Sequence, residues 1–239
     1  MVNNAVMQFV DRAYLAKDSM FALEAVLPAG VLAWIFMGFF QSVVAYSGVF
    51  VAQYHGAKES ESALRCQGAA RLIAFAAALL TLPLLGFGHW ILGLTPPSET
   101  VLELERVYYD IILLGSVFVY WQMASSAYFT GVGRTRIVFV VNLLGNLVNI
   151  ALDPILIFGW WGCPAMGIRG AAIATVLAMG VQALALELAL PRLPLTGARI
   201  RGELQLAPAI LRFGIPSGGY EFLNMLSFAI FVFVTGGVG

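Results

Sequence analysis

Four polar side chains recur inside one greasy stretch, and they limit what this chain can fold into. Between Gly131 and Thr175 the sequence reads GVGRTRIVFVVNLLGNLVNIALDPILIFGWWGCPAMGIRGAAIAT, with Asn142, Asn146, Asn149 and Asp153 at spacings of 4, 3 and 4. At about 100° per residue these side chains fall within roughly a 60° arc of one helix face. The residues around them are apolar enough to lie in a bilayer. A carboxylate at the bilayer centre costs about 2.5–3.5 kcal/mol even on insertion scales. The stripe must therefore face protein or a watery cavity, which is the first sign of a transport path.

The rest of the composition agrees. Of 239 residues, 60% are hydrophobic and 11% charged, and the mean hydropathy is +0.87. Soluble proteins carry about 25% charged residues. The expected class is an all-α polytopic membrane protein of about seven transmembrane helices. Zero net charge gives no electrostatic reason for a nucleic-acid partner. The opening VNNAVMQFVDR lacks a basic region and a small-residue cleavage site, so no cleavable signal is expected. Cys66 and Cys163 lack metal-type spacing, and no disulfide is expected between them. His55 and His89 read as isolated interfacial residues. There is no Walker motif, catalytic triad or metal cluster; GVGRTR lacks the Gly-Lys-Ser/Thr ending of a phosphate loop. An enzyme is not expected, nor a cofactor.

In chain order, Met1–Ala16 reads as the second half of a helix whose start lies upstream, with Asn4, Gln8 and Asp11 on one face. Phe21–Tyr54 is a second helix and His55–Gln67 a polar connection. Gly68–Leu94 is a third helix. Thr95–Thr100 is a turn whose prolines stop one helix and whose acid suits the start of the next. Val101–Thr130, Ile137–Trp160 and Ala171–Leu190 follow as helices four, five and six. Pro191–Pro208 is the longest polar segment and reads as a linker on the membrane surface. A seventh helix is expected from near Ala209 to Gly239.

Charge sets the expected orientation. The loops after helices two, four and six, with their flanks, hold Lys58, Arg65, Arg71, Arg134, Arg136, Arg192, Arg199, Arg201 and Arg212. The other face holds Arg12, Lys17, Arg106 and Arg169. The richer set is read as cytoplasmic. Asp11 then lies six residues before Lys17, about 9 Å below the outer edge at 1.5 Å per residue. Asp153 lies seven residues before Trp160, and Thr175 five after Gly170. Three polar side chains from three helices thus share one level.

At this point the sequence resembles the multidrug and toxic compound extrusion transporters, the MATE family. QFVDRAYLA is similar to that family's first-helix acid motif, and VAQYHGAKE to its exit from helix two. GVGRTRIVFVVNLLGNLVNIALDPILIFG with MGIRGAAIAT resembles its signature around helices five and six. GIPSGGYEFLNMLSFAIFVFV resembles the start of helix seven. The resemblance implies twelve helices in two six-helix lobes around a cavity that opens to alternate sides. It divides this chain into a first lobe (1–190, first helix incomplete), an inter-lobe linker (191–208) and one helix of the second lobe (209–239). On that reading the chain is a fragment or a truncated reading frame, and the repeat echoes in Ser217, Glu221 and Asn224, spaced like Asn4, Gln8 and Asp11.

Residue by residue, the resemblance makes Asp11 the acid that binds the coupling cation. Asn149 and Asp153 become an Asn–Asp pair hydrogen-bonded into the same site, and Thr175 the hydroxyl of that network. Many bacterial members place a glutamate where this chain has Asn224; here Glu221 sits one turn earlier and is the candidate to replace it. Gln8, Gln41, Gln122 and Asn146, with Ser125 and Ser126, are candidate cavity-lining residues. Met37, Met123, Met179, Tyr120, Trp121 and Tyr128 either line an adaptable drug cavity or simply pack. Pro154 deprives the carbonyl of Ile150 of its helical partner, as a hinge or as a static kink.

The expected function is a secondary active antiporter in the cell membrane, exporting organic compounds, cations foremost, in exchange for protons or sodium ions. Asp11 and Asp153 would act as a proton-titrating pair, or would lodge a sodium ion. The partners are small organic substrates and the bilayer, with a monomer expected for the full-length transporter. Two alternatives stand beside it: a flippase for lipid-linked saccharides of the same superfold, and a non-transporting membrane scaffold fragment in which the acids only join helices by hydrogen bonds.

Overall fold

The structure is a computed structural model that describes residues 2–94, 98–191 and 197–236, with side chains placed for 10–94, 98–191 and 201–230. The architecture is all-α. Its helices are α1 (Val2–Asp18), α2 (Met20–Ala45), α3 (Ser47–Gly56), α4 (Ser60–Thr81), α5 (Leu84–Leu92), α6 (Glu99–Leu114), α7 (Ser116–Gly131), α8 (Thr135–Phe158), α9 (Ile168–Ala189) and α10 (Gly197–Gly236). Two junctions barely interrupt the chain. Tyr46 and Gly115 keep right-handed backbone, so α2 with α3, and α6 with α7, each form one long rod. Five described segments are long and apolar enough to cross a membrane by length and composition: Met20–Gly56, Ser60–Thr81, Glu99–Gly131, Thr135–Phe158 and Ile168–Ala189.

Three boundaries differ from the sequence reading, each for a local reason. The connection after α3 is short, because Lys58 turns the chain at φ 64° and α4 starts at Ser60 rather than Gly68. The SESALRCQ stretch is polar but helical, tied by an Arg65–Glu61 pair one turn apart at 2.6 Å. The third predicted helix breaks at Leu82–Pro83, where Pro83 caps α5. The seventh helix starts at Gly197, not near Ala209, and runs through Pro208 and Pro216. Residues 197–208 of the predicted linker are thus part of α10. At the start of α6 Ser98 is the cap, accepting a hydrogen bond from the Val101 N–H at 3.2 Å.

Small residues let these helices approach closely. Ala29, Ala33, Ala69, Ala70, Ala74, Ala77, Ala124 and Ala172 share the central core with Met37, Tyr109, Ile112 and Tyr120. Lipid tails are as apolar as leucine, so close van der Waals packing of this kind, rather than exclusion of water, holds membrane helices together. A second cluster, around Leu15, Ala22, Ala25, Val101, Ile157, Ile168 and Ala171, joins α1, α2, α6, α8 and α9 at the end where Asp18 meets Gly167. α10 lies along α2: a methyl group on Gly214 would meet the Val43 carbonyl at 2.8 Å, and one on Gly218 the Phe39 carbonyl at 2.7 Å. Ser42 and Ser217 share a hydrogen bond of 2.9 Å across the same seam.

Candidate functional site

The polar stripe of α8 divides the helix into two environments. Asn149 and Asp153 are fully buried, and Asn146 nearly so, whereas Leu143, Leu144 and Leu147 on the other side are exposed. Asn142, at the next turn, accepts a hydrogen bond from Gln122 Nε2 at 3.1 Å. The chain passes through Pro154 without leaving the helix. A left-handed Gly159 (φ 76°) then ends α8, a conformation that glycine adopts without a Cβ penalty.

What faces the stripe is α1 and α9. Asp11 of α1 meets Asp153 side chain to side chain, within hydrogen-bonding reach. Asn149 Nδ2 donates to Asp153 Oδ1 at 3.4 Å and to Thr175 Oγ1 at 3.5 Å. Thr175 is anchored by donating to the Ala171 carbonyl at 3.0 Å. Gly170 makes this geometry possible, because α9 there runs directly against the Leu156–Ile157 backbone of α8. Asp11, Asn149, Asp153 and Thr175 therefore converge on one place.

The site is rich in acceptors. Asp11 Oδ1, Asn149 Oδ1 and Asp153 Oδ2 are buried oxygens without a donor among the described residues. Such groups are costly to leave unmatched. A proton on one carboxyl supplies the missing donor, and an all-oxygen set also suits a hard monovalent cation. No group of three or more His, Cys, Asp or Glu side chains suited to a metal occurs among the described residues.

One residue that sequence reasoning missed belongs to this neighbourhood. Tyr108 of α6 lies within electrostatic range of both aspartates, as does Arg12 of Asp11. Tyr108 was legible only as one of a Tyr–Tyr pair on an amphipathic helix.

The remaining predicted residues are distributed more widely. Gln8 and Asn4 lie outside the described side chains. Gln41 and Gln122 are partly buried, and Asn146 is bonded within the protein. Glu221 is half-buried against Gly38 of α2, and Asn224 is exposed, so the two are not joined to the Asp11–Asp153 site. Met37 and Tyr120 are core residues; Tyr120 is hydrogen-bonded to Thr81 at 3.0 Å. Ser125 serves Glu187, which also accepts from Arg71 at 2.6 Å and Trp121 at 3.0 Å. His89 is not isolated: its Nε2 lies 2.7 Å from Asp110 Oδ1.

The helical arrangement is an all-α lobe with a polar site buried between apolar spans. Solved structures share this fold. A MOP superfamily transporter from Pyrococcus furiosus superposes with a TM-score of 0.75 at 22% identity, over 98% of this chain and 51% of that one. An outward-facing multidrug resistance MATE family transporter gives 0.76 at 22% identity over 98% of this chain, and an inward-facing one 0.67 at 17% over 90%; this chain covers 51% of each. Among curated relatives, the probable multidrug resistance protein YoeA of Bacillus subtilis is 27% identical over 222 residues, 89% of this chain and 46% of YoeA. The probable multidrug resistance protein NorM of Thermotoga maritima is 29% identical over 174 residues, 72% of this chain and 38% of NorM. The MatE family profile matches residues 1–155, and the chain belongs to the MATE family. It spans about half the length of the relatives it matches.

Proposed function

We propose that this chain forms the cation-coupling lobe of a secondary antiporter that exports small organic compounds, cations foremost, in exchange for protons or sodium ions. The observation that carries this reading is the Asp11–Asp153 contact, with donorless oxygens on Asp11, Asn149 and Asp153 around it. Two carboxylates in a shared dry site cannot both stay ionised cheaply. The site therefore takes up one positive charge when closed and gives it back when water enters. If the two states of the lobe differ in affinity for that ion and for the organic substrate, the two bindings are coupled reciprocally. Asn149 and Thr175 hold the carboxyl of Asp153 in register, and Tyr108 stands beside both acids.

The experiment is efflux of a fluorescent organic cation from cells or vesicles, driven by an imposed proton or sodium gradient, with Asp11→Asn and Asp153→Asn in the native full-length protein. Each substitution removes a titratable oxygen at nearly constant volume. Gradient-driven efflux is expected to fall to background in both. Near-normal efflux in both would leave the acids as mere helix-joining groups and end the proposal. The gradient that drives the native protein separates proton from sodium coupling.

A further inference from the structure

We propose that a crevice between α2, α5 and α10 is a binding site for a lipid acyl chain, separate from the cation site and independent of the antiport reading. Its volume is about 330 Å³, and the described residues that line it are Phe36, Phe39 and Phe40 of α2, Leu84 of α5, and Gly219 and Phe222 of α10. All six are only partly buried, so the crevice is open on one side. An engineered protein cavity of about 150 Å³ with a similar lining stays dry and admits benzene. This crevice is more than twice that size and has room for a run of methylene groups.

Two features of the sequence make this space. Pro83 breaks the third span, and Leu84 then opens α5 beside α2. Gly219 leaves out a side chain. A methyl group on Gly214 or Gly218 would strike the α2 backbone, but one on Gly219 would meet nothing within 4 Å. Glycine weakens a helix interior relative to alanine, and at Gly219 no close contact accounts for it. What the missing side chain leaves open is the crevice. Its walls are braced from behind. The Phe36 ring lies 5.9 Å from Phe87, Phe39 5.1 Å from Phe40, and Phe40 5.9 Å from Tyr120. Aromatic pairs of this kind hold the rings in place, so the space does not simply collapse.

Depth and chemistry select the occupant. Phe36 lies 16 residues after Met20, and Phe40 lies 16 before Gly56, so the phenyl rings sit at the midpoint of the Met20–Gly56 span. Each end is about 24 Å away along the axis. The hydrocarbon core of a bilayer is about 30 Å thick, and its middle holds only acyl chains. No residue of the lining carries a polar side chain. The nearest acid in sequence, Glu221, is half-buried against Gly38 and is not part of the lining. Water finds no hydrogen-bond partner in such a space. An organic cation would leave its charge unmatched at mid-bilayer. A hydrocarbon chain gives up no hydrogen bond on entering and gains van der Waals contact with four phenyl rings.

The test places the native full-length protein in nanodiscs containing a phosphatidylcholine with a photoreactive diazirine at the end of one acyl chain. Cross-linked peptides are mapped by mass spectrometry. Cross-links are expected at Phe36, Phe39, Phe40 or Phe222. They are expected to be lost in Gly219→Leu, whose side chain fills the crevice, and to persist in Gly86→Leu, which also has open space around it. Phe222→Trp narrows the same space and gives a second reading should Gly219→Leu not fold. Leu147 of α8, which is exposed, reports ordinary lipid contact and is expected to be labelled equally in every variant. Three results overturn the inference. One is an unlabelled crevice beside a labelled Leu147. Another is crevice cross-links that survive both Gly219→Leu and Phe222→Trp, which mark passing boundary lipid. The third is crevice cross-links displaced by a fluorescent organic cation, which make the crevice a substrate site instead.

Discussion

Gly170→Ala is a single methyl group placed where two backbones touch. An ideal Cβ on Gly170 would lie 2.5 Å from the carbonyl carbon of Leu156 and 2.9 Å from the Ile157 nitrogen. Ordinary contact begins at 3.4 Å, so the fit is short by about 0.9 Å. The obstacle is main chain, and that main chain is fixed: the Leu156 carbonyl accepts from Met166 N–H at 2.9 Å and the Ile157 carbonyl from Gly167 N–H at 3.2 Å. No rotamer change relieves the clash, so α8 and α9 must separate. Overpacking of this kind costs about 1–3 kcal/mol, here at the upper end. Alanine returns about 1 kcal/mol of helix propensity, leaving a net loss of about 2 kcal/mol. For a chain of this size that lowers Tm by about 4–8 °C. The site suffers as well, because Thr175 is held at 3.5 Å from Asn149 and has no slack for the separation. The assay is thermal unfolding of the protein in nanodiscs, followed by tryptophan fluorescence. Gly86→Ala, where nothing lies within 4 Å, is the matched control and is expected to match or exceed the native Tm. A Gly170→Ala protein that melts with the native one would refute the claim that backbone contact fixes the α8–α9 spacing.

Two further outcomes are expected from the same kind of measurement. Glu187→Ala strands Arg71 beside Trp121 and Ser125, and is expected to cost about 1–3 kcal/mol; since both partners are about a quarter exposed, solvent keeps it toward the low end. Adding Arg71→Ala should recover part of that loss in a double-mutant cycle, and full additivity would deny the coupling. Gly133→Ala, at φ 74° with open space around it, is expected to cost about 1–2 kcal/mol from backbone strain alone. Gly56→Ala, also with open space but no positive φ, should be neutral within about 0.5 kcal/mol.

The spacing of Asn142, Asn146, Asn149 and Asp153 determined which side of α8 would turn inward, since a helix of 3.6 residues per turn leaves no other choice for polar groups in lipid. The charge distribution gives an expected orientation, and the offsets of Asp11, Asp153 and Thr175 from their helix ends then give an expected common depth. Hydropathy located the spans, although polar helix ends such as Ser60–Gln67 read as connection. The polar start of α10 did too, because membrane-scale hydropathy does not register helix outside the bilayer.

Periodicity fixes an angle about one helix's own axis and says nothing of which neighbour stands opposite. That is why Tyr108 beside the aspartates, and Glu187 gathering Arg71, Trp121 and Ser125, became visible only once the helices were packed. The same holds for Gly170: one glycine among 25 in the sequence, it matters because the Leu156–Ile157 backbone lies against it. The chain's composition made it a membrane bundle with an inward polar face; close helix packing decided which acids meet.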